Sequence, residues 1–170
     1  MSTAMLSVKN LTVFYENAIA INKLSITVNE DEIVGVIGPN SAGKTTLMNT
    51  ISGLLLDSKL KEDRRGGVRI TIFGTIRYFD ENISDVWTDK RVRKGIALCR
   101  ERHPVFGESD VEENLKISGY LSSREQLKES MALVYDMFPK LHTMRKRKAG
   151  LMSGGEQQML AIGIALMAKP

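Results

Sequence analysis

Residues Gly38, Gly43, Lys44 and Thr45, within the stretch VIGPNSAGKTT, follow the spacing G-x-x-x-x-G-K-[ST]. That spacing suits one task, the holding of a chain of phosphates. Backbone N–H groups from about Ser41 to Thr46 would converge on an anion at a helix start, where the helix dipole adds positive potential. Glycine lets the backbone approach phosphate oxygens closely. Lys44 is spaced to bridge β- and γ-phosphates, the Thr45 hydroxyl to ligate Mg2+, and Thr46 to reach the α-phosphate. The candidate nucleotide-binding segment is therefore Gly38, Pro39, Asn40, Ser41, Ala42, Gly43, Lys44, Thr45 and Thr46. By itself it specifies a nucleoside triphosphate and no more.

A second constellation lies far along the chain, at Ser153, Gly154, Gly155 and Glu156. Ser153 followed three residues later by Glu156 reads as a capping box at a helix start. Gly154 and Gly155 are poor residues for a first helical turn. They make sense where something approaches the backbone closely, so this stretch reads as a second anion-binding helix end.

The elements that must position these residues follow from hydrophobic periodicity. LSVKNLTVFY alternates as a half-exposed strand, and LSITVNEDEIVGVIG ends in IVGVIG, a run suited to a strand buried on both faces. TTLMNTISGLL has helical spacing, with Leu47, Ile51 and Leu54 on one side. Asp57 to Arg65 reads as a charged surface stretch. GGVRITIFGTIRYF returns to a strand pattern and predicts a hairpin turning near Gly74. DKRVRKGIALC predicts a short basic helix leading into a buried strand. Val111 to Leu141 is helical in pattern, stopped by Pro139, and a last helix runs from Ser153 to about Lys169. MALVYD, at 131–136, imitates a strand ending in a metal-binding aspartate, but its surroundings have helical spacing.

Composition narrows the class. With 170 residues, 42% hydrophobic and 26% charged, the chain suits one globular domain rather than a disordered one. The net charge of +4 is too small to specify nucleic acid or an acidic membrane. One cysteine, Cys99, excludes an intrachain disulfide and points to a reducing compartment. Two separated histidines, His103 and His142, argue against a structural zinc site. No run of about 18 apolar residues is present to span a membrane, and MSTAMLSVKN lacks the features of a secretion signal.

Taken together, the GPNSAGKTT loop and the Met152-Ser153-Gly154-Gly155-Glu156 motif resemble the ATP-binding-cassette (ABC) family of ATPases. There the first is Walker A and the second is the L-S-G-G-[QE] signature. RVRKGIA, RHPVFGESDVEENL, FPKLHTMRKRKAG and SGGEQQMLAIGIALM are most similar to the ATP-binding subunits of branched-chain amino-acid importers. The resemblance implies an α/β fold: a P-loop core with an N-terminal antiparallel β portion and a helical subdomain. It divides the single domain into 1–105 for β portion and core, 106–150 for the helical subdomain, and 151–170 for signature and helix.

It also implies roles. Tyr15 falls where an aromatic ring stacks on adenine, with Phe14 as its rival. Glu101 falls at the Q-loop position. Ser153, Gly154, Gly155 and Glu156 would contact the γ-phosphate of ATP held by an opposite subunit, so two cassettes, identical or different, sandwich two ATPs. Transmembrane permease subunits and, indirectly, an external solute-binding protein are the implied partners. The location is the cytoplasmic face of the cell membrane, and the cofactors are ATP and Mg2+. The RKRK run at 145–148 lacks interleaved aromatics and is not taken as a nucleic-acid site.

The sequence departs from the family at Ser41, where glycine is usual and serine carries strain if the position needs a positive φ, at Ile164, where arginine is common and a surface contact is lost, and at about Lys59 to Phe73, which reads as an insertion. In the family the Walker B aspartate, catalytic glutamate and H-loop histidine come later than LMAKP. The expectation is thus that the full-length parent hydrolyses ATP, while these 170 residues form an incomplete cassette in which Lys44 is the only catalytic group present, with apolar surface uncovered, marginal folding and negligible hydrolysis. The alternatives are a soluble ABC ATPase of translation or DNA repair and a non-catalytic ATP-binding module.

Overall fold

A computed structural model describes residues 4–67, 69–100, 105–120 and 122–170. They form two compact units, Met1–Arg91 and Val92–Pro170.

The first unit is built on an antiparallel sheet. Strands β1 (Ala4–Tyr15) and β2 (Ala18–Asn29) form a hairpin about a two-residue turn, where Glu16 takes a positive φ of 52°. β3 (Ile70–Tyr78) pairs with the other edge of β1, and the two-residue β4 (Glu81–Asn82) follows it, giving the order β2-β1-β3-β4. Val8, Leu11, Val13, Ile21, Ile70 and Ile76 are buried on this sheet, a register shift between Val8 and Leu11 bringing both to the inner face.

Gly74 is not a turn. β3 runs straight through it with φ 107°, and the chain reverses instead between Tyr78 and Glu81. The glycine is needed because the register with β1 slips between Lys9 and Thr12, bringing two backbones together. A Cβ at Gly74 would lie 2.7 Å from the Lys9 carbonyl oxygen.

Two expected strands do not form. Residues 33–38, the IVGVIG run, have no strand conformation, and Ile33 and Ile37 are almost fully exposed. Residues 96–99, IALC, are likewise not a strand, and Cys99 is exposed. A continuous apolar run becomes a strand only when neighbours supply its hydrogen bonds on both sides. Among the described residues the one sheet is antiparallel and includes neither run.

The helix after the phosphate loop is two helices, α1 (Lys44–Ser52) and α2 (Leu54–Arg65), divided by Gly53 at φ 90°. The charged stretch from Asp57 is the body of α2, whose last turn carries Arg64 and Arg65 and ends on a left-handed Gly66. The short basic helix is present as α3 (Thr88–Arg93).

The second unit is helical: α4 (Val111–Ser118), α5 (Arg124–Met137), α6 (Pro139–Thr143) and α7 (Gly154–Leu166). Pro139 ends α5 and opens α6, the first-turn position proline tolerates. Met131 to Asp136 lie inside α5, so MALVYD is helix. Val111, Leu115, Val134, Leu141, Leu160 and Met167 make one buried core. Ile164 packs against that core rather than standing on the surface.

Candidate functional site

The phosphate loop sits at the start of α1. Gly43 is the residue before the helix, with φ 86°, and its carbonyl accepts the Leu47 N–H at 2.8 Å. The N–H groups of Lys44, Thr45 and Thr46 therefore have no partner within the helix. Gly43 has no side chain to cap them, and no acidic residue lies in the first turn. β2 runs directly behind, because a Cβ on Gly43 would stand 2.5 Å from the Ala20 carbonyl oxygen. Only glycine serves here, for both the dihedral and the space.

Lys44 folds back over the loop. Its Nζ donates to the carbonyls of Gly38 and Pro39, each at 2.7 Å. Two of its three protons hold the loop closed and one remains for a ligand. Ala42 N–H donates to the Pro39 carbonyl at 3.3 Å, tightening the turn. Ser41 has φ 64°, so the serine carries the strain that glycine would avoid. A cavity of about 240 Å3 opens beside the loop, lined by Ile21, Val36, Ala42, Gly43 and Lys44 among others. The arrangement is a cationic, donor-rich cradle suited to a chain of phosphates.

Thr45 is exposed at the same helix start, and among the described residues no hydrogen bond engages its hydroxyl. Mg2+ is commonly held by one or two protein oxygens together with nucleotide phosphates. One hydroxyl beside an empty set of N–H donors fits that mode. No cluster of three acidic, histidine or cysteine side chains is available among the described residues to hold a metal independently.

The sheet separates the two aromatic candidates. Tyr15 lies opposite buried Ile70, whereas Phe14 lies opposite Ile19, which is 57% exposed. Residues directly opposite share a face, so the two rings point to opposite sides. The Phe14 ring meets Phe73 edge-on, with centroids 6.4 Å apart. Glu101 lies outside the described residues.

The second helix start belongs to the second unit. Ser153 Oγ accepts the Glu156 N–H at 3.4 Å, and the Glu156 carboxylate accepts the Ser153 N–H at 2.9 Å. The capping box read from the sequence is present. Lys140 on α6 adds an ion pair to Glu156 at 2.9 Å. That ammonium, then the Ser153 N–H, holds the Glu156 carboxyl down to about 2. A Cβ on Gly154 or Gly155 would meet nothing within 4 Å, so their faces are open.

The RKRK run is tied to the start of α4. The carbonyls of Arg147 and Arg145 accept the N–H groups of Val111 and Glu112. Lys146 pairs with Glu112 at 3.1 Å and Asp110 at 3.6 Å, and Lys148 with Glu108 at 3.1 Å. Lys116, then Lys146, keep the Glu112 carboxyl at about 2. Asn114 is fully buried and exchanges hydrogen bonds with the Phe106 backbone at 2.7 and 3.0 Å, fixing the turn before α4.

Sequence reasoning passed over Lys140, Asn114 and Arg91. The last is 1% exposed although it stands among Lys90, Arg93 and Lys94. Nothing in composition distinguishes it from those neighbours.

With this geometry in hand, comparison with known proteins gives a consistent result. Residues 21–170 match the family described as ABC transporter. The chain is 37% identical over 166 residues to the high-affinity branched-chain amino acid transport ATP-binding protein BraG of Pseudomonas aeruginosa, covering 98% of this chain and 65% of that protein. It is 33% identical over 165 residues to the probable branched-chain amino acid transport ATP-binding protein LivF of Archaeoglobus fulgidus, covering 97% of this chain and 64% of that one. The chain thus spans about two-thirds of the length of these relatives. Among solved structures, the ADP conformation of MJ1267, an ATP-binding cassette of an ABC transporter, superposes with a TM-score of 0.78 at 25% identity, covering 100% of this chain and 66% of that one.

Proposed function

This chain belongs to the ABC transporter family, and from that membership we propose that it binds ATP as the nucleotide-binding subunit of a branched-chain amino-acid importer. The observation that carries the reading is the loop at Gly38 to Thr46. It combines an uncapped helix start, a left-handed Gly43 and an ammonium fixed over the loop at 2.7 Å from two carbonyls.

In this reading the N–H groups at the start of α1 and the third proton of Lys44 bind the β- and γ-phosphates. Thr45 offers its hydroxyl to Mg2+, which supplies charge neutralisation across the phosphates when bound. Thr46 reaches the α-phosphate and Tyr15, rather than Phe14, stacks on adenine. Phe14 is already engaged by Phe73 on the other face. The loop residues Pro39, Asn40, Ser41 and Ala42 shape the cradle through their backbone.

Ser153, Gly154, Gly155 and Glu156 form the face offered to ATP held by a second cassette, identical or not. Their open faces support this placement. Permease subunits would receive the motion, with an external solute-binding protein acting indirectly, at the cytoplasmic side of the membrane. Among the described residues no helix is long and apolar enough to cross a membrane. In this scheme residues 38–46 hold the nucleotide and contribute no carboxylate of their own to polarise water.

Titration of the chain with ATP and Mg2+ tests the reading. Saturable binding is expected, and Lys44→Ala should weaken it about 100-fold through loss of charge-assisted bonds. Binding that Lys44→Ala leaves unchanged would sink it.

A further inference from the structure

Among the described residues of the first unit Arg91 is the most thoroughly hydrogen-bonded side chain, and its partners are all backbone carbonyls. Its Nε donates to Val86 at 2.7 Å. Nη1 donates to Thr50 and Ile51, both at 2.8 Å. Nη2 donates to Ile83 at 2.6 Å and Ser84 at 3.0 Å. All five N–H donors of the guanidinium fork are thereby used. Desolvation lowers its proton affinity, with Asp57 and then Asp85 opposing, and a guanidinium keeps its charge at this depth.

These carbonyls belong to two structures. Thr50 and Ile51 lie in the last turn of α1, where unsatisfied carbonyls carry the negative end of the helix dipole. Ile83, Ser84 and Val86 form the segment after β4. That segment is fastened to the sheet, since Ile83 N–H donates to the Ile76 carbonyl at 2.8 Å and Ile76 N–H donates to Ser84 Oγ at 3.0 Å. α1 is thus held at both ends by one sheet. At its start Gly43 lies against Ala20 of β2, and at its end Arg91 fastens it to the loop on β3. Between the two anchors the helix runs about 13 Å.

The fit around Arg91 is close. A Cβ on Gly53, the residue that ends α1, would lie 3.2 Å from Arg91 Cδ and 3.0 Å from Thr88 Oγ1. A buried charge is a poor source of stability compared with an apolar side chain of similar volume. Two directional bonds to the rear of α1 and three to the segment after β4 instead specify where that helix sits.

We propose that Arg91 is a positioning residue for nucleotide binding, fixing the rear of α1 so that the N–H groups at its front are already aligned on the phosphates. The assignment rests on the nucleotide reading given above. A pre-aligned set of donors binds without the cost of ordering them. Arg91 touches no ligand and acts through α1. By linkage, phosphate binding at the front must in turn tighten the Arg91 clasp at the rear.

Amide hydrogen exchange on the unaltered chain, with and without ATP and Mg2+, tests this without any substitution. Slower exchange is expected at Lys44 to Thr46 and, with it, at Ile83, Val86 and Arg91. Slowing confined to the phosphate loop overturns the proposal. Variants add a second reading. Arg91→Met should raise the Kd for ATP with Mg2+ about tenfold, the worth of a charged hydrogen-bond set at a helix end. Arg91→Lys, which keeps the charge without the fork, should fall between. Val134→Ala, which opens a cavity in the buried core of the second unit, should lower the melting temperature and leave Kd unchanged. Should Arg91→Met raise Kd no more than Val134→Ala, the proposal fails. Should it not fold, the exchange result decides. Absence of any ATP binding by the unaltered chain overturns the nucleotide reading and this one together. Binding abolished by Lys44→Ala but untouched by Arg91→Met overturns this one alone.

Discussion

The two units each contain a helix that begins beside glycine, and the two starts differ in how their N–H groups are met. α1 follows a left-handed Gly43 with no cap and no acid in its first turn. α7 follows Ser153, whose hydroxyl caps it, and carries Glu156 locked to Lys140. The first start is held open by its surroundings, β2 behind it and Arg91 at its far end. The second is capped by its own serine at the Glu156 N–H alone, and the faces of Gly154 and Gly155 stay open. A helix start with a side-chain cap needs less support from other elements, while one left wholly uncapped must be supported elsewhere.

The comparison can be broken most forcefully at Gly43. Gly43→Ala places a Cβ against the Ala20 carbonyl in a left-handed conformation. It should cost about 2 kcal/mol in denaturant melts and weaken ATP binding with it. An alanine tolerated without loss would mean the loop is not held by the sheet.

Ser153→Ala should cost about 1 kcal/mol, the usual worth of a lost cap. It should leave ATP affinity of the single chain unchanged, because in the proposed scheme this start serves a nucleotide held by a second cassette. Equal effects of Ser153→Ala and Lys44→Ala on affinity would erase the distinction between the two starts.

Ser41→Gly sharpens the first half of the contrast. Relief of the positive φ should add up to about 1 kcal/mol, part of it offset by the freer unfolded chain. Thermal unfolding reads this directly, and a lower melting temperature would contradict the strain.

The smallest effect is electrostatic and concerns the second start. Glu156 is held at about 2, below the ordinary value of 4.5. A depressed carboxyl contributes stability that is complete above its unfolded value and lost as pH falls through the folded one. Glu156→Gln keeps an acceptor for the Ser153 N–H and removes only the charge. Its stability should therefore depend less on pH than that of the unaltered chain between about 4.5 and about 2, as followed by acid titration of circular dichroism. Identical acid profiles would show that the Lys140 pair contributes nothing.

Legibility in the sequence divided along the same line. The capping box at Ser153 and Glu156, the helix start after Gly43 and the break at Pro139 were all readable, because each is settled by residues within one turn. Strain at Ser41 was readable as a condition on φ. The same local reading misplaced Gly74, whose role as a close approach to Lys9 and Asn10 depends on a strand some 60 residues away. It also treated Gly53 as a continuation of helix when its left-handed φ ends one.

Sequence alone therefore determined the two helix starts, the donor-bearing residues of the loop and the likeness to one family, since short spacings encode local backbone geometry. Tertiary structure decided that 33–38 and 96–99 remain outside any strand, that Tyr15 and Phe14 face opposite ways, and that Arg91 alone among its basic neighbours turns inward. Strand pairing and burial depend on partners remote in sequence, and a charge enters the interior only where distant carbonyls are gathered to receive it.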